Sequence, residues 1–153
     1  MKFNSIFSTP IFMKVNDIMT ADVEVISPDS SIQDAARKLR ALEVGSLPVC
    51  NGERLVGMIT DRDIAIRAVA EGWDAASTSV SKCMTPEVRC CYEDEPLEAA
   101  ERMMQENQIR RLPVISREKR LVGILSIGDL AIKTDETRKV GETIQAISEI
   151  SPG

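Results

Sequence analysis

The apolar positions of the chain change period in a fixed order, and that order occurs twice. Val23-Glu24-Val25-Ile26 is a short β-prone run, broken by Pro28-Asp29-Ser30-Ser31, which also supplies N-cap candidates. Ile32, Ala35, Ala36, Leu39 and Leu42 then recur at steps of three and four, with Gln33, Asp34, Arg37, Lys38 and Arg40 between them. This predicts an amphipathic helix of about three turns, with Gly45 beyond it as a C-terminal stop. Leu47-Pro48-Val49-Cys50 and Leu55-Val56-Gly57-Met58-Ile59 predict two strands, and Asn51-Gly52 between them is a hairpin signal because both residue types tolerate positive φ. Thr60 then caps a second helix containing Ile64, Ala65, Ala68 and Val69.

The same order returns downstream: a strand over Val88–Cys91, a helix over Leu97–Gln105, strands over Leu112–Ile115 and Leu121–Leu125, and a helix after Ser126. Pro96 sits near an N1 position, where a missing N–H costs nothing. Landmarks confirm the duplication. Met19 and Met84 are 65 positions apart, as are Pro48 and Pro113, while Gly57 and Gly123 are 66 apart. The fold class read from this is α+β: two β-α-β-β-α units related by a pseudo-twofold axis. Each half, at roughly 60 residues, is marginal alone, so the halves are expected to pack together. The predicted organisation is an N-terminal arm over 1–13, units over 14–72 and 80–133, a linker over 73–79 and a C-terminal tail over 134–153. In that tail Val140, Ile144, Ile147 and Ile150 mark an amphipathic helix, for packing on its own chain or on a partner. Met13 is an alternative start, with residues 1–12 as a loose arm otherwise.

Composition narrows the function. Of 153 residues, 43% are hydrophobic and 3% aromatic, so the core must be aliphatic and methionine-rich. A net charge of −5 disfavours nucleic acid, which needs a basic face to displace counterions. No apolar run approaches the ~20 residues that span a bilayer, and the first residues lack the pattern of a signal peptide, so a cytoplasmic location is expected. The four cysteines, Cys50, Cys83, Cys90 and Cys91, show no Cys-x2-Cys spacing and there is no histidine, so no metal site is expected. They read as buried structural thiols, with redox sensing as the other use. The missing histidine also removes Ser-His-Asp and Cys-His catalysis, and no enzyme activity is expected.

The candidate chemistry lies where a strand meets a helix: Gly57, Thr60 and Asp63, repeated as Gly123, Ser126 and Asp129. Ser/Thr-x-x-Asp before an apolar helix is, in many proteins, a cap and nothing more. It also offers a hydroxyl to a phosphate and, one turn on, a carboxylate to a vicinal diol, which together suit a nucleoside phosphate. Arg110-Arg111 precede Leu112 in the second unit, where the first has Gly45-Ser46. Guanidinium forks bind phosphate bidentately, although an exposed basic pair at a strand start is equally ordinary. Arg62 is a further cation at the first motif, opposite Gly128 in the second.

These residues closely resemble a tandem pair of cystathionine-β-synthase-type (CBS) domains. Asp17-Ile18-Met19-Thr20, Leu47-Pro48-Val49 and Leu55 to Asp63 carry the likeness, with Cys83-Met84-Thr85, Arg110 to Val114 and Leu121 to Asp129 in the second copy. The likeness covers roughly residues 14–133. It implies units packed through their sheets, a homodimer, and an adenosyl ligand such as AMP, ADP, ATP, NAD or S-adenosylmethionine in clefts between the units. By position, Asp63 and Asp129 would hold the ribose, and Thr60 and Ser126 the phosphate. Segments around Ile26 and Cys91, and around Leu47-Pro48 and Leu112-Pro113, would enclose the base. Arg110 and Arg111 would be basic phosphate contacts, which Gly45-Ser46 lacks. The implied role is regulatory, with the nucleotide as ligand rather than obligatory cofactor and a separate protein as partner; a ligand-free interaction module is the alternative.

Overall fold

The computed structural model describes residues 13–133 and 147. The predicted tail helix otherwise lies outside the described residues, although Ile147 is buried. The described chain is α+β, with two three-stranded sheets. In the first, β1 (Ser46–Asn51) and β2 (Arg54–Thr60) form an antiparallel hairpin, and β3 (Thr85–Pro86) adds to the other edge of β2. In the second, β4 (Cys91–Tyr92) runs parallel to β5 (Arg111–Ile115), which neighbours β6 (Leu121–Ser126). The helices are α1 (Val15–Ile18), α2 (Ile32–Leu42), α3 (Asp61–Asp63, continued as a π-helix over Ile64–Val69), α4 (Val80–Cys83), α5 (Leu97–Asn107) and α6 (Ile127–Lys133). Among the described residues no helix is long and apolar enough to cross a membrane.

The chain forms two compact units that trade their leading segments. One joins the described residues up to Val23 to 90–118 and 122–133; the other comprises Glu24–Arg89 and Lys119–Leu121. So α1 and Thr20 belong with the second repeat, and α4 and β3 with the first. Isolated bridges complete the parallel between the copies: Ile26 pairs with Val49 beside β1, as β4 pairs with β5, and Thr20 pairs with Ile124 beside β6, as β3 pairs with β2.

Each unit has its own aliphatic core. Ile32, Ala35 and Leu39 of α2 pack with Leu47, Val49, Ile59, Ala68, Val80 and Cys83. Leu97, Ala100 and Met104 of α5 pack with Val15, Ile18, Leu112, Val114, Leu125 and Leu130. The short helices α1 and α4 carry too few residues for a periodic signal, yet Val15 and Val80 are fully buried. Residues 73–79, expected as a linker, are locked: Asp74 accepts from Ser77 N and Oγ, Thr78 is buried, and Lys82 lies 4.3 Å over the Trp73 ring.

Several local expectations shift by a residue or two. The hairpin loop is Gly52-Glu53, since Asn51 pairs with Arg54; Gly52 takes φ +66°. Helix α2 ends in a left-handed Glu43, at φ 56°, before Gly45 is reached. Pro96 is the N-cap of α5 rather than its first residue. The expected strand at Val23–Ile26 contracts to the bridge at Ile26, and that at Val88–Cys91 moves to Cys91–Tyr92.

Cys50, Cys83 and Cys91 are buried and Cys90 is half-buried. Burial pushes the first three thiols up, Cys91 to about 12. At pH 8, well below that value, Cys91 is the unreactive thiol. Iodoacetamide at pH 8 should therefore modify Cys90 of the native protein first, read by peptide mass spectrometry; equal labelling of all four would contradict the buried cores.

Candidate functional site

The end of β2 builds the first site. Ile59 enters the core with Val56 packed against it, and Thr60 keeps an extended backbone, φ −121° and ψ 163°, as the N-cap of α3. The Asp63 N–H donates to Thr60 Oγ1 at 2.9 Å, and the Thr60 N–H donates to Asp63 Oδ2 at 3.0 Å. The second copy repeats this: Asp129 N to Ser126 Oγ at 3.0 Å, and Ser126 N to Asp129 Oδ2 at 3.1 Å. Both expected pairs are thus capping boxes.

Being a cap does not exhaust these groups. The cap uses each hydroxyl as an acceptor, so its proton is not consumed there. The cap also takes only one carboxylate oxygen, Oδ2, and leaves Oδ1 outside the box. At each copy one hydroxyl proton and one carboxylate oxygen thus lie outside the box, the oxygen of Asp129 already accepting from Thr20. That pair matches a phosphate oxygen and a diol.

The segment that opens the other repeat lies against each motif. Gly57 makes room for it: a Cβ there would lie 2.8 Å from both Met84 Sδ and the Thr85 carbonyl oxygen. At Gly123 the corresponding distances are 2.7 Å to Met19 Sδ and 2.8 Å to the Thr20 carbonyl oxygen. In one unit the Thr20 hydroxyl donates to Asp129 Oδ1 at 2.9 Å. In the other, Arg67 donates to the carbonyls of Cys83, at 3.2 Å, and Met84, at 3.1 Å. Thr20, Met84 and Arg67 were not among the residues expected from the sequence. The signal for the first two was present, because Met-Thr opens both repeats; Arg67 stands four residues after Asp63, the spacing of facing helical side chains.

The remaining expected residues divide into two groups. Arg110 is exposed, and its carbonyl accepts from Ile127 N at 3.1 Å, beside Ser126. Arg111, also exposed, opens β5. In the first copy the Gly45 carbonyl accepts from Asp61 N at 3.0 Å, and the Asp61 carboxylate lies 3.5 Å from where a Gly45 Cβ would be. The first site thus has an acid where the second has Ile127, and no side chain where the second has Arg110. Arg62 is exposed on α3 and its N–H donates to Asp61 Oδ1 at 2.7 Å. The other group lies deeper. Ile26 N donates to the Pro48 carbonyl at 3.0 Å, joining those two. Leu47, Leu112 and Cys91 turn their side chains into the cores, and Pro48 and Pro113 are buried.

Comparison with known proteins fits this geometry. The sequence model of the family described as "CBS domain" matches twice, over residues 15–69 and 80–133. The CBS domain-containing protein YhcV of Bacillus subtilis is 40% identical over 134 residues, covering 88% of this chain and 94% of its own. The crystal structure of Hypoxic Response Protein I with two coordinated zinc ions superposes with a TM-score of 0.72 at 33% identity, covering 80% of this chain and 99% of that one. The crystal structure of CBSX2 in complex with AMP gives 0.68 at 29% identity, covering 78% and 93%. This chain's sequence holds no histidine, and among the described residues no group of three or more potential metal ligands comes together. Two capped Asp motifs, each beneath the other repeat's leading segment, and two family matches assign the chain to the CBS-domain proteins, as a tandem pair of CBS domains.

Proposed function

We propose that this chain is a regulatory ligand-sensing module that binds adenine nucleotides or related adenosyl ligands and signals to a separate partner. One observation carries this: each capping box uses only half the hydrogen-bonding capacity of its hydroxyl and carboxylate. The hydroxyl proton and the outer carboxylate oxygen that the box leaves over have the chemistry to meet a nucleoside phosphate, the outer oxygen sharing its lone pairs with Thr20 at Asp129 and facing Arg67 at Asp63. The AMP complex of CBSX2 supports the ligand class. Asp63 and Asp129 accept from ribose hydroxyls, and Thr60 and Ser126 donate to phosphate. Ile26 with Pro48, and the backbone around Cys91 and Pro113, border the base. Arg110 and Arg111 add cationic recognition of phosphate at the Asp129 site, while Asp61 works against it at the Asp63 site. The Asp129 site therefore favours the more highly charged nucleotide.

A signal follows from the exchange of leading segments. A ligand on Asp63 or Asp129 touches a cap from one repeat beside a Met-Thr segment from the other. Binding shifts a conformational equilibrium by as much as the affinities for its two states differ. The output is relayed in a homodimer or to another protein; no catalytic step is assigned to the chain.

A second reading, a ligand-free interaction module, is favoured by one surface. Ile66 and Val69 on the π-helical turn are 56% and 70% exposed, beside a groove of about 350 Å³ lined by Leu39, Val44 and Ile64. Titration calorimetry with AMP, ATP, NAD and S-adenosylmethionine separates the readings. Saturable heat with at least one is expected. No heat and no thermal stabilisation with any of them at millimolar concentration would leave the interaction module.

A further inference from the structure

The outer oxygens of the two repeat carboxylates are held by different groups. At Asp129, Oδ1 accepts a neutral hydroxyl from Thr20. At Asp63, Oδ1 lies 4.0 Å from Arg67 Nε, and the same guanidinium reaches across to the carbonyls of Cys83 and Met84 through Nη1. Asp63 is only 14% exposed and Arg67 47%. One planar cation thus faces both walls of the site: the helix that carries the carboxylate and the segment that runs into β3. A guanidinium suits this because its donors are fixed in one plane, and carbonyl oxygens and a carboxylate can share it. At 4.0 Å the Asp63 contact is an ion pair rather than a short hydrogen bond, so Oδ1 keeps lone pairs for a diol while the cation orients it.

Resting on the nucleotide-site reading above, we propose that Arg67 is a positioning residue of the Asp63 site, fixing that carboxylate and the Met84–Thr85 segment in one frame. In the other site the Thr20 hydroxyl donates to the corresponding oxygen, Asp129 Oδ1. The two sites therefore depend on different side chains, and damage to Arg67 is confined to one of them.

Single-site backgrounds test this. Asp129→Asn leaves the Asp63 site to be titrated with AMP, and Asp63→Asn leaves the other. In the Asp129→Asn background, Arg67→Met should weaken AMP about tenfold, the scale of one charge-assisted interaction. Arg67→Lys, which keeps the charge but not the planar fork, should recover part of that loss. In the Asp63→Asn background, Arg67→Met should leave AMP affinity unchanged. Unchanged binding in the first background, an equal loss in both, or a loss that lysine does not rescue would each overturn the proposal. Absence of AMP binding by the wild-type chain is a separate outcome: it overturns the nucleotide reading itself, and with it the site that Arg67 serves.

Discussion

Replacing Gly57 or Gly123 with alanine is expected to destabilise the protein by about 2–3 kcal/mol each, the upper range for overpacking a closed contact. The new methyl group would sit 2.8 Å from the Thr85 carbonyl in one case and 2.8 Å from the Thr20 carbonyl in the other. A methionine tip can swing aside, but a backbone carbonyl moves only with its strand. At Gly57 that strand is β3, whose Pro86 pairs with Gly57 itself. At Gly123 it is the segment whose Thr20 exchanges hydrogen bonds of 2.9 Å with Ile124 in both directions. Either substitution therefore lifts the leading segment of one repeat off the sheet of the other, and nucleotide affinity at that site should fall with stability. Gly128→Ala is the control. Its Cβ would meet only Ser126 Oγ, at 3.6 Å, inside α6. Alanine there should be neutral or stabilise by up to about 1 kcal/mol through helix propensity. Urea midpoints of the three variants check the order, and a Gly57→Ala protein as stable as Gly128→Ala would contradict the close approach.

The largest effect on binding is expected from Asp63→Asn and Asp129→Asn, a substitution that separates the two uses of the carboxylate. Asparagine still offers one oxygen to the Thr60 or Ser126 N–H, so the capping box survives. That same bond fixes the amide orientation, because the reverse flip would set two donors against each other. The outward group then becomes an NH2, which donates and cannot accept from ribose hydroxyls. Two charge-assisted hydrogen bonds are lost, and affinity at the altered site should fall by roughly 100-fold or more. Stability should change by only about 0.5–1 kcal/mol, the value of a carboxylate near a helix N-terminus. If the aspartates are caps alone, the same variants leave nucleotide behaviour untouched.

Much of this was legible in the chain because the repeat showed every signal twice. The helices with long apolar stripes, Ile32 to Leu42 and Leu97 onward, and the continuous apolar strands were read from periodicity. The Ser/Thr-x-x-Asp motif reads both as cap and as site, and the structure shows the cap in both copies. What the chain did not disclose is long-range. Nothing local in Asp17-Ile18-Met19-Thr20 says that its Thr20 bridges to Ile124 of the other repeat. Arg67 was hidden because an arginine on a helix usually faces solvent, and its carbonyl partners are 16 and 17 residues away. The π-helical turn after Asp63 had no periodic mark either. It closes where the Ala70 N–H bonds back five residues, to the Ala65 carbonyl.

Calorimetric titration of AMP into the wild-type chain and into the Asp63→Asn/Asp129→Asn double variant, with Tm recorded for both, tests the dual use of the caps most directly. Saturable heat from the wild type and none from a double variant of nearly unchanged Tm is the predicted result. Equal AMP binding by the two proteins, or none by either, would contradict it.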